Sequence, residues 1–262
     1  MLLAGLDEVR EVGAFSSRNS SKGSLLREAF ALFSAARSGV ALEDLRSAVM
    51  GGSILPRATY ETRRTVGRLL HHRYLSVLPG WVARAMAAAT KQGMQSPEFV
   101  SLAYLHYALR DRLTFEFVTG PVWARWRQQA THLDSGDFLL FLGQQAPDHP
   151  EIGKWRDVTR KKLAASNLAA LRDFGLLRGV RLKHIQRPTV GHEAVFHLLC
   201  ILLAEGLHGR AVLEAPDWRL FLWSETDVAA ALAELSQRRW IRFEKGGRTT
   251  MLELIRTPEV TP

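Results

Sequence analysis

The sequence predicts a mainly α-helical protein: a helical bundle with winged-helix and helix-turn-helix-like units and a short C-terminal β-hairpin. Two observations carry that expectation. From Leu25 onward, apolar residues recur at helical spacing between breaks made of Gly, Pro and capping residues. Strand-like alternation is confined to residues 177–185 and 240–255. A hydrophobic content of 47% in 262 residues supplies a well-buried core, in one large domain or two small ones.

Taken in order, residues 1–23 read as a flexible N-terminus with at most a short turn near Leu6. The Ser-rich stretch from Ser16 to Ser24 has loop composition. A helix over 25–36 ends near Gly39, and one over 41–50 ends at Gly51-Gly52. A longer helix runs from Pro56 to about Tyr74 and is stopped by Pro79-Gly80. Ser96-Pro97-Glu98 combines a capping hydroxyl, a first-turn proline and an acid favoured by the helix dipole. Helices also fit 81–90, 122–131 and 138–145. Pro147 and Pro150 flank a polar stretch and mark a boundary between a helical domain over 24–148 and a winged-helix-like domain over 149–257. The second part predicts a long basic helix over 153–174 closed by Gly175, a strand pair within 177–185, and a helix over 193–205. Ser224 to Asp227 resembles a capping box, opening a helix over 226–238 with Val228, Leu232 and Leu235 on one face. Ile241 and Phe243 alternate with Arg242 and Glu244 in a hairpin that turns at Lys245 to Arg248.

Charge is grouped rather than spread. From Lys154 to Arg187 there are ten Lys or Arg against two acids, nearly the whole net charge of +9. A second cluster, Arg57 to Arg73, holds five arginines, His71 and His72 against Glu61 alone, and a third runs from Arg238 to Arg248. Grouped cations suit phosphate, because each neutralised phosphate releases condensed counterions. On a wheel at 100° per residue, Ala58, Thr62, Val66, Leu69 and Leu70 share one side of the first basic helix. Arg57, Arg64, Arg68 and His71 fall on the other side within roughly 60°. Two short helices and a Gly-Gly break precede it, the order of a helix-turn-helix unit. On the helix over 153–174, Lys154, Lys161 and Arg172 align opposite Leu163, Ala170 and Phe174, and the basic stretch from Arg178 to Lys183 follows as a wing would. The candidate DNA-binding residues are therefore Arg57, Arg63, Arg64, Arg68 and His71; Lys154, Arg160, Lys161, Lys162 and Arg172; Arg181 and Lys183; and Lys245 and Arg248 at the hairpin tip. The bland alternative for each is a solvated face with snorkelling side chains.

Catalytic signatures are missing. Gly153-Lys154 lacks the upstream glycine and the hydroxyl residue of a P-loop, and neither G-x-G-x-x-G nor G-x-S-x-G occurs. His192-Glu193 and His197 miss the zinc spacing by one residue, which sets the imidazoles roughly 140° apart on a helix. A single cysteine, Cys200, excludes an internal disulfide and reads as a buried thiol. No enzyme activity, cofactor, metal or small-molecule substrate is expected. The apolar start is too short for a signal peptide and no run reaches the roughly 20 residues of a membrane span, so the expectation is a cytoplasmic protein without a membrane partner.

The arginine-rich helix Thr59-Tyr60-Glu61-Thr62-Arg63-Arg64-Thr65-Val66-Gly67-Arg68-Leu69 resembles the BrxA family of the BREX bacteriophage-exclusion systems of bacteria. So do Thr159-Arg160-Lys161-Lys162, continuing to Leu171-Arg172-Asp173-Phe174-Gly175-Leu176-Leu177, and the ending Trp240-Ile241-Arg242-Phe243-Glu244. The resemblance runs in order from about Ser24 to Ile255. It implies a mainly helical DNA-binding protein acting beside a methyltransferase, an ATPase and a phosphatase-like protein. Some members carry an inner-membrane label, which conflicts with the lack of any span in this sequence. Two function classes follow: a non-enzymatic component that binds double-stranded DNA, or a scaffold whose basic surface meets acidic proteins. A sequence-specific transcriptional regulator would use the same modules.

Overall fold

Local capping sets where the helices begin. In a computed structural model describing residues 3, 5–76, 80–246 and 249–256, the side chains of Thr59, Ser96, Asp134 and Ser224 each accept a backbone N–H from the following first turn. That satisfies donors with no partner inside the helix. The expected capping box at Ser224 and Asp227 forms, and Asp134 with Asp137 makes a second one.

The first helices are α1 (Leu26–Arg37), α2 (Leu45–Gly51), α3 (Tyr60–Tyr74), α4 (Gly80–Ala89) and α5 (Pro97–Leu109). Ten of the thirteen residues of α5 are buried, so it is apolar nearly all round, and α1, α3 and α4 pack against it. Next come α6 (Arg112–Phe117) and α7 (Trp123–Arg127). They are joined by a wide turn, Val118–Val122, where Pro121 lacks the N–H that a regular ladder needs. The expected helix over 122–131 accordingly ends early, and Gln129 takes a positive φ of 59°.

β1 (His132–Leu133), α8 (Ser135–Gln145), α9 (Pro150–Gly153) and α10 (Asp157–Asp173) follow. The single helix expected over 153–174 is broken, because Arg156 is extended at ψ 152°. The expected strand pair forms as β2 (Leu177–Arg178) and β3 (Lys183–Ile185), with Arg178 opposite His184. β1 adds to the far side of β3, His132 opposite His184, giving the order β1-β3-β2. The segments on either side of the Pro147 and Pro150 turn are thus joined in one sheet. The last elements are α11 (His192–Ala204), α12 (Arg210–Glu214), a 3-10 turn over Pro216–Phe221, α13 (Glu225–Gln237) and the hairpin β4 (Ile241–Gly246) with β5 (Thr249–Leu254).

One hydrophobic cluster runs from Leu6 through Ile241. The Ser-rich N-terminal segment, read from composition as loose, is irregular but anchored: Leu6, Val9, Phe15 and Asn19 are buried. The anchor is the buried Arg73. Its guanidinium donates to the Ser24 carbonyl at 2.9 Å and to Asn19 Oδ1 at 2.6 Å, and lies 4.6 Å from the centre of the Tyr107 ring. Beside it, the Thr114 hydroxyl donates to the Asp111 carboxylate and accepts from the Asn167 amide at 2.6 Å. Burial pushes the Asp111 carboxyl above its usual range, partly offset by the Thr114 hydrogen bond. A second buried polar pair joins α5 to α11, with His106 Nε2 and His197 Nδ1 3.0 Å apart. Burial, followed by Arg110, holds His106 down to about 3, and burial with His106 holds His197 well below its ordinary value.

Two predictions follow from these groups. Arg73→Ala strands the Asn19 and Ser24 acceptors and is expected to cost about 3 kcal/mol in denaturant unfolding. Both histidines are neutral in the fold, whereas in the unfolded chain they take up protons below about pH 6.5. The unfolded state therefore binds more protons as pH falls from 6.5 toward 3, and stability is lost in that window by up to about 1.4 kcal/mol per pH unit per histidine. The double variant His106→Gln, His197→Gln should flatten that acid limb in pH-dependent unfolding.

Candidate nucleic-acid interface

Helix α3 presents the two faces that its periodicity predicts. Val66, Leu69 and Leu70 are buried, while Arg64 and Arg68 are exposed. The helix begins at Tyr60, so the exposed Arg57 precedes it instead of sharing its wheel. Arg64 and Arg68 line a groove with Tyr60, Glu61, Thr65, Met50 and Arg46, the last two contributed by α2. The acid within reach is Glu61, 3.7 Å from Arg64 with both side chains largely in solvent. His71 is partly buried on the same side, and its pKa is lowered by burial and then by Arg46. Arg63 turns inward. It donates to the Met50 carbonyl at 3.1 Å and the Ala58 carbonyl at 2.8 Å, pinning the 52–59 turn that leads into α3. Gly52 lies against it at φ 87°, where a Cβ would sit 3.0 Å from the Arg63 guanidinium.

The second cationic group surrounds α10. Leu163, Ala164, Leu168, Ala170 and Leu171 bury one face, and Phe174 is buried where the helix ends. Lys161 and Lys162 are exposed on the helix, Lys154 and Arg156 just before it, and Arg178 and Arg181 on the β2–β3 hairpin. Among the described residues these six have no acidic partner within ion-pair distance. Four of them gather at the amino end of α10, where the helix dipole is already positive. That placement does nothing for the helix itself, and an anion there would meet both the cations and the dipole. Lys162 lines a shallow groove with Ser20, Ser21 and Ser166.

Other sequence-predicted cations are occupied within the fold. Arg160 donates to the Ile152 carbonyl at 3.0 Å, Arg172 meets Asp173 at 3.0 Å, and the Lys183 ammonium donates to the Val180 carbonyl at 2.9 Å. Lys154 is separated from α10 by the break, so it does not share a face with Lys161 and Arg172. At the C-terminal hairpin, Lys245 is held by Glu225 at 3.0 Å. Arg248 lies outside the described residues. Helix α13 has Glu225, Asp227 and Glu234 and no Lys or Arg, and Asp227 takes both Nη groups of Arg187. The candidate contacts read from sequence do not include Arg46, Arg156 or Arg178, although Arg178 opens the stretch read as a wing. The last two were within reach as part of the run of ten cations, but Arg46 joins Arg64 and Arg68 only through tertiary packing.

His197 faces His106, and His192 faces Glu98 and Glu234. Among the described residues no group of three or more His, Cys, Asp or Glu is placed to hold a metal ion. Cys200 is buried, and burial pushes its thiol pKa up. No helix among the described residues is long and apolar enough to cross a membrane.

The scaffold is shared with a solved structure, the crystal structure of an uncharacterized protein from Magnetospirillum magneticum. That protein is 14% identical, its whole chain aligns with 80% of this one, and the TM-score is 0.60, a likeness of fold. No curated protein matches the chain. The BrxA family model matches residues 13–200, and the chain belongs to the BrxA family. Membership implies a component of a BREX phage-defence system, alongside other BREX proteins, and the family is not a known enzyme family. The match takes in both cationic groups, while the ending from Trp240 to Glu244 falls beyond it.

The different tasks of neighbouring arginines on α3 are measurable. Arg63→Ala removes two hydrogen bonds to carbonyls and is expected to cost about 1–3 kcal/mol. The Arg64→Ala, Arg68→Ala double variant should stay within about 0.5 kcal/mol of the parent in the same denaturant titration.

Proposed function

We propose that this chain is a non-enzymatic DNA-binding component of its BREX system, gripping duplex phosphates through the α2–α3 face and the α10 face. The observation that carries this reading is the set of exposed cations at the amino end of α10 and on the β2–β3 hairpin that have no acid within ion-pair distance, although Asp157 stands among them at the first position of α10. We read the elements β1, α8, α10, β2 and β3, with sheet order β1-β3-β2, as a winged helix. In that reading α10 is the recognition helix and the β2–β3 hairpin the wing. The unit spans residues 132–185 and so takes elements from both sides of Pro147. The α2–turn–α3 sequence reads as a helix-turn-helix unit, with Arg64 and Arg68 aimed at the sugar-phosphate backbone. Guanidinium suits that role because its planar fork matches phosphate oxygens. The C-terminal hairpin contributes less, since Lys245 is already neutralised by Glu225. The reading places the protein in the cytoplasm, where DNA and the methyltransferase, ATPase and phosphatase-like proteins of the system are found.

Affinity for a random-sequence duplex, measured by anisotropy across a salt series, tests this. Log K is expected to fall linearly with log salt, by about 0.9 per phosphate contact. Arg64→Ala with Arg68→Ala, and separately Lys161→Ala with Lys162→Ala, should weaken all sequences alike and reduce the slope by about one per contact removed. Arg172→Ala should change it less, because Asp173 already occupies that side chain. A flat salt response would overturn DNA binding in favour of a scaffold that meets acidic proteins. A strong preference for one short sequence would make the protein a regulator.

A further inference from the structure

The tip of the β2–β3 hairpin is built unlike an ordinary solvated turn. Val180 is 72% exposed and Leu182 66% exposed, with Arg181 between them. Loop tips are ordinarily polar, and single exposed aliphatics need no explanation. Here two of them share one short turn whose path is set by a glycine. Gly179 sits at φ 92°, and a Cβ there would overlap the Leu182 carbonyl oxygen, so the chain folds back on itself in a way only glycine permits. The Lys183 ammonium closes the base by donating to the Val180 carbonyl. Below it, Leu177 pairs with Ile185, and both side chains are buried in the core. The fold thus holds two aliphatic side chains out in water, flanked by Arg178 and Arg181, which have no acidic partner among the described residues.

We infer that residues 179–182 enter the minor groove of duplex DNA and that Val180 and Leu182 press on a base step, bending the duplex. This inference rests on the DNA-binding reading above. The minor groove offers the chemistry the tip fits: phosphate walls for Arg178 and Arg181, and a floor of base edges for the aliphatic pair. Aliphatic side chains that press between base pairs partly unstack them and kink the helix by about 20–90°. The tip also belongs to the same unit as α10, so a duplex lying on the α10 cations has the wing beside it.

The experiment compares the full chain with the double variant Val180→Ser, Leu182→Ser on an A·T-rich duplex carrying a donor and an acceptor dye at its ends. Both positions are exposed, so thermal unfolding of the variant should match the parent. The parent should shorten the end-to-end distance on binding, and a netropsin-type minor-groove ligand should compete with it. The variant should lose the bend and bind at least about tenfold more weakly, because two aliphatic side chains are withdrawn from partial burial. Its salt slope should be unchanged, because no cation has been removed. Arg181→Ala should instead lower the slope by about one. If the variant binds and bends as the parent does, with the parent's salt dependence intact, the wedge is refuted and DNA binding stands. If the parent shows no salt-dependent binding at all, the DNA reading itself has failed. If the variant keeps its DNA affinity but loses binding to phosphatidylserine vesicles, the tip belongs to a lipid surface and the inference is overturned.

Discussion

Arg73 places a full positive charge in the core, and much of the architecture is organised around tolerating it. A buried guanidinium is costly unless its donors are satisfied. Here the acceptors come from far away in sequence: the Ser24 and Lys22 carbonyls, the Asn19 amide oxygen and the Tyr107 ring face. This explains how a Ser- and Gly-rich N-terminal segment with little regular structure of its own stays in place. It is held by polar ligation to α3 as much as by its apolar residues Leu6, Val9 and Phe15. The same cluster reaches α10 by two routes, the Ser24 hydroxyl donating to Asp173 at 2.7 Å and the Asn167 amide donating to Thr114. Helices α3 and α10, which carry the two cationic faces, are therefore tied through one buried polar network and not merely through neighbouring hydrophobic contacts. A rigid duplex spaced over both faces would need that fixed relation.

Net charge alone does not separate structural from available cations; partners do. Arg63 and Arg64 are adjacent, yet one holds a turn and the other projects into a groove. Arg172 and Lys161 share a helix, yet of the two only Arg172 is within ion-pair distance of an acid. In proteins an occupied guanidinium offers little to a phosphate, because it would have to give up one set of hydrogen bonds to form another. The cations left over cluster at the amino end of α10 and on the adjoining hairpin, where the backbone dipole adds to them instead of offsetting them. Such a concentration of like charge opposes the compact state, so its placement calls for an external anion more than for an internal purpose.

What could be read directly from sequence was governed by local rules. The apolar stripe of α3 and the capping residues Ser96 and Ser224 behave as their spacing dictates, because each depends on residues within a turn of itself. The features that could not be read depend on distant residues. The two-residue strand β1 is too short to show alternation and exists only because β3 lies beside it. The break at 154–156 interrupts a stretch whose composition suits a helix throughout. Pro121 signals irregularity but not that the chain would widen one turn and continue. In the candidate interface, Arg64, Arg68 and Lys161 are legible as exposed from the wheel. The inward turn of Arg63 and the arrival of Arg46 are not, since they depend on how α2 crosses α3.

The C-terminal part supplies an internal contrast. Helices α11, α12 and α13 followed by the β4–β5 hairpin repeat the general order of helices and wing seen in the preceding unit. Yet residues 201–262 hold eight Lys or Arg against nine Asp or Glu. The helix that would correspond to α10 has only acids, and they capture nearby cations: Asp227 takes Arg187, and Glu225 takes Lys245. Similar element order with opposite charge on the exposed helix argues that architecture does not by itself specify a phosphate-binding surface. It is the excess of cations over acids on α3 and α10, both inside the part shared with the family, that distinguishes a surface suited to an anionic partner from one that is electrostatically closed. The excess of positive charge thus lies in the first 200 residues, and the rest of the chain is close to neutral.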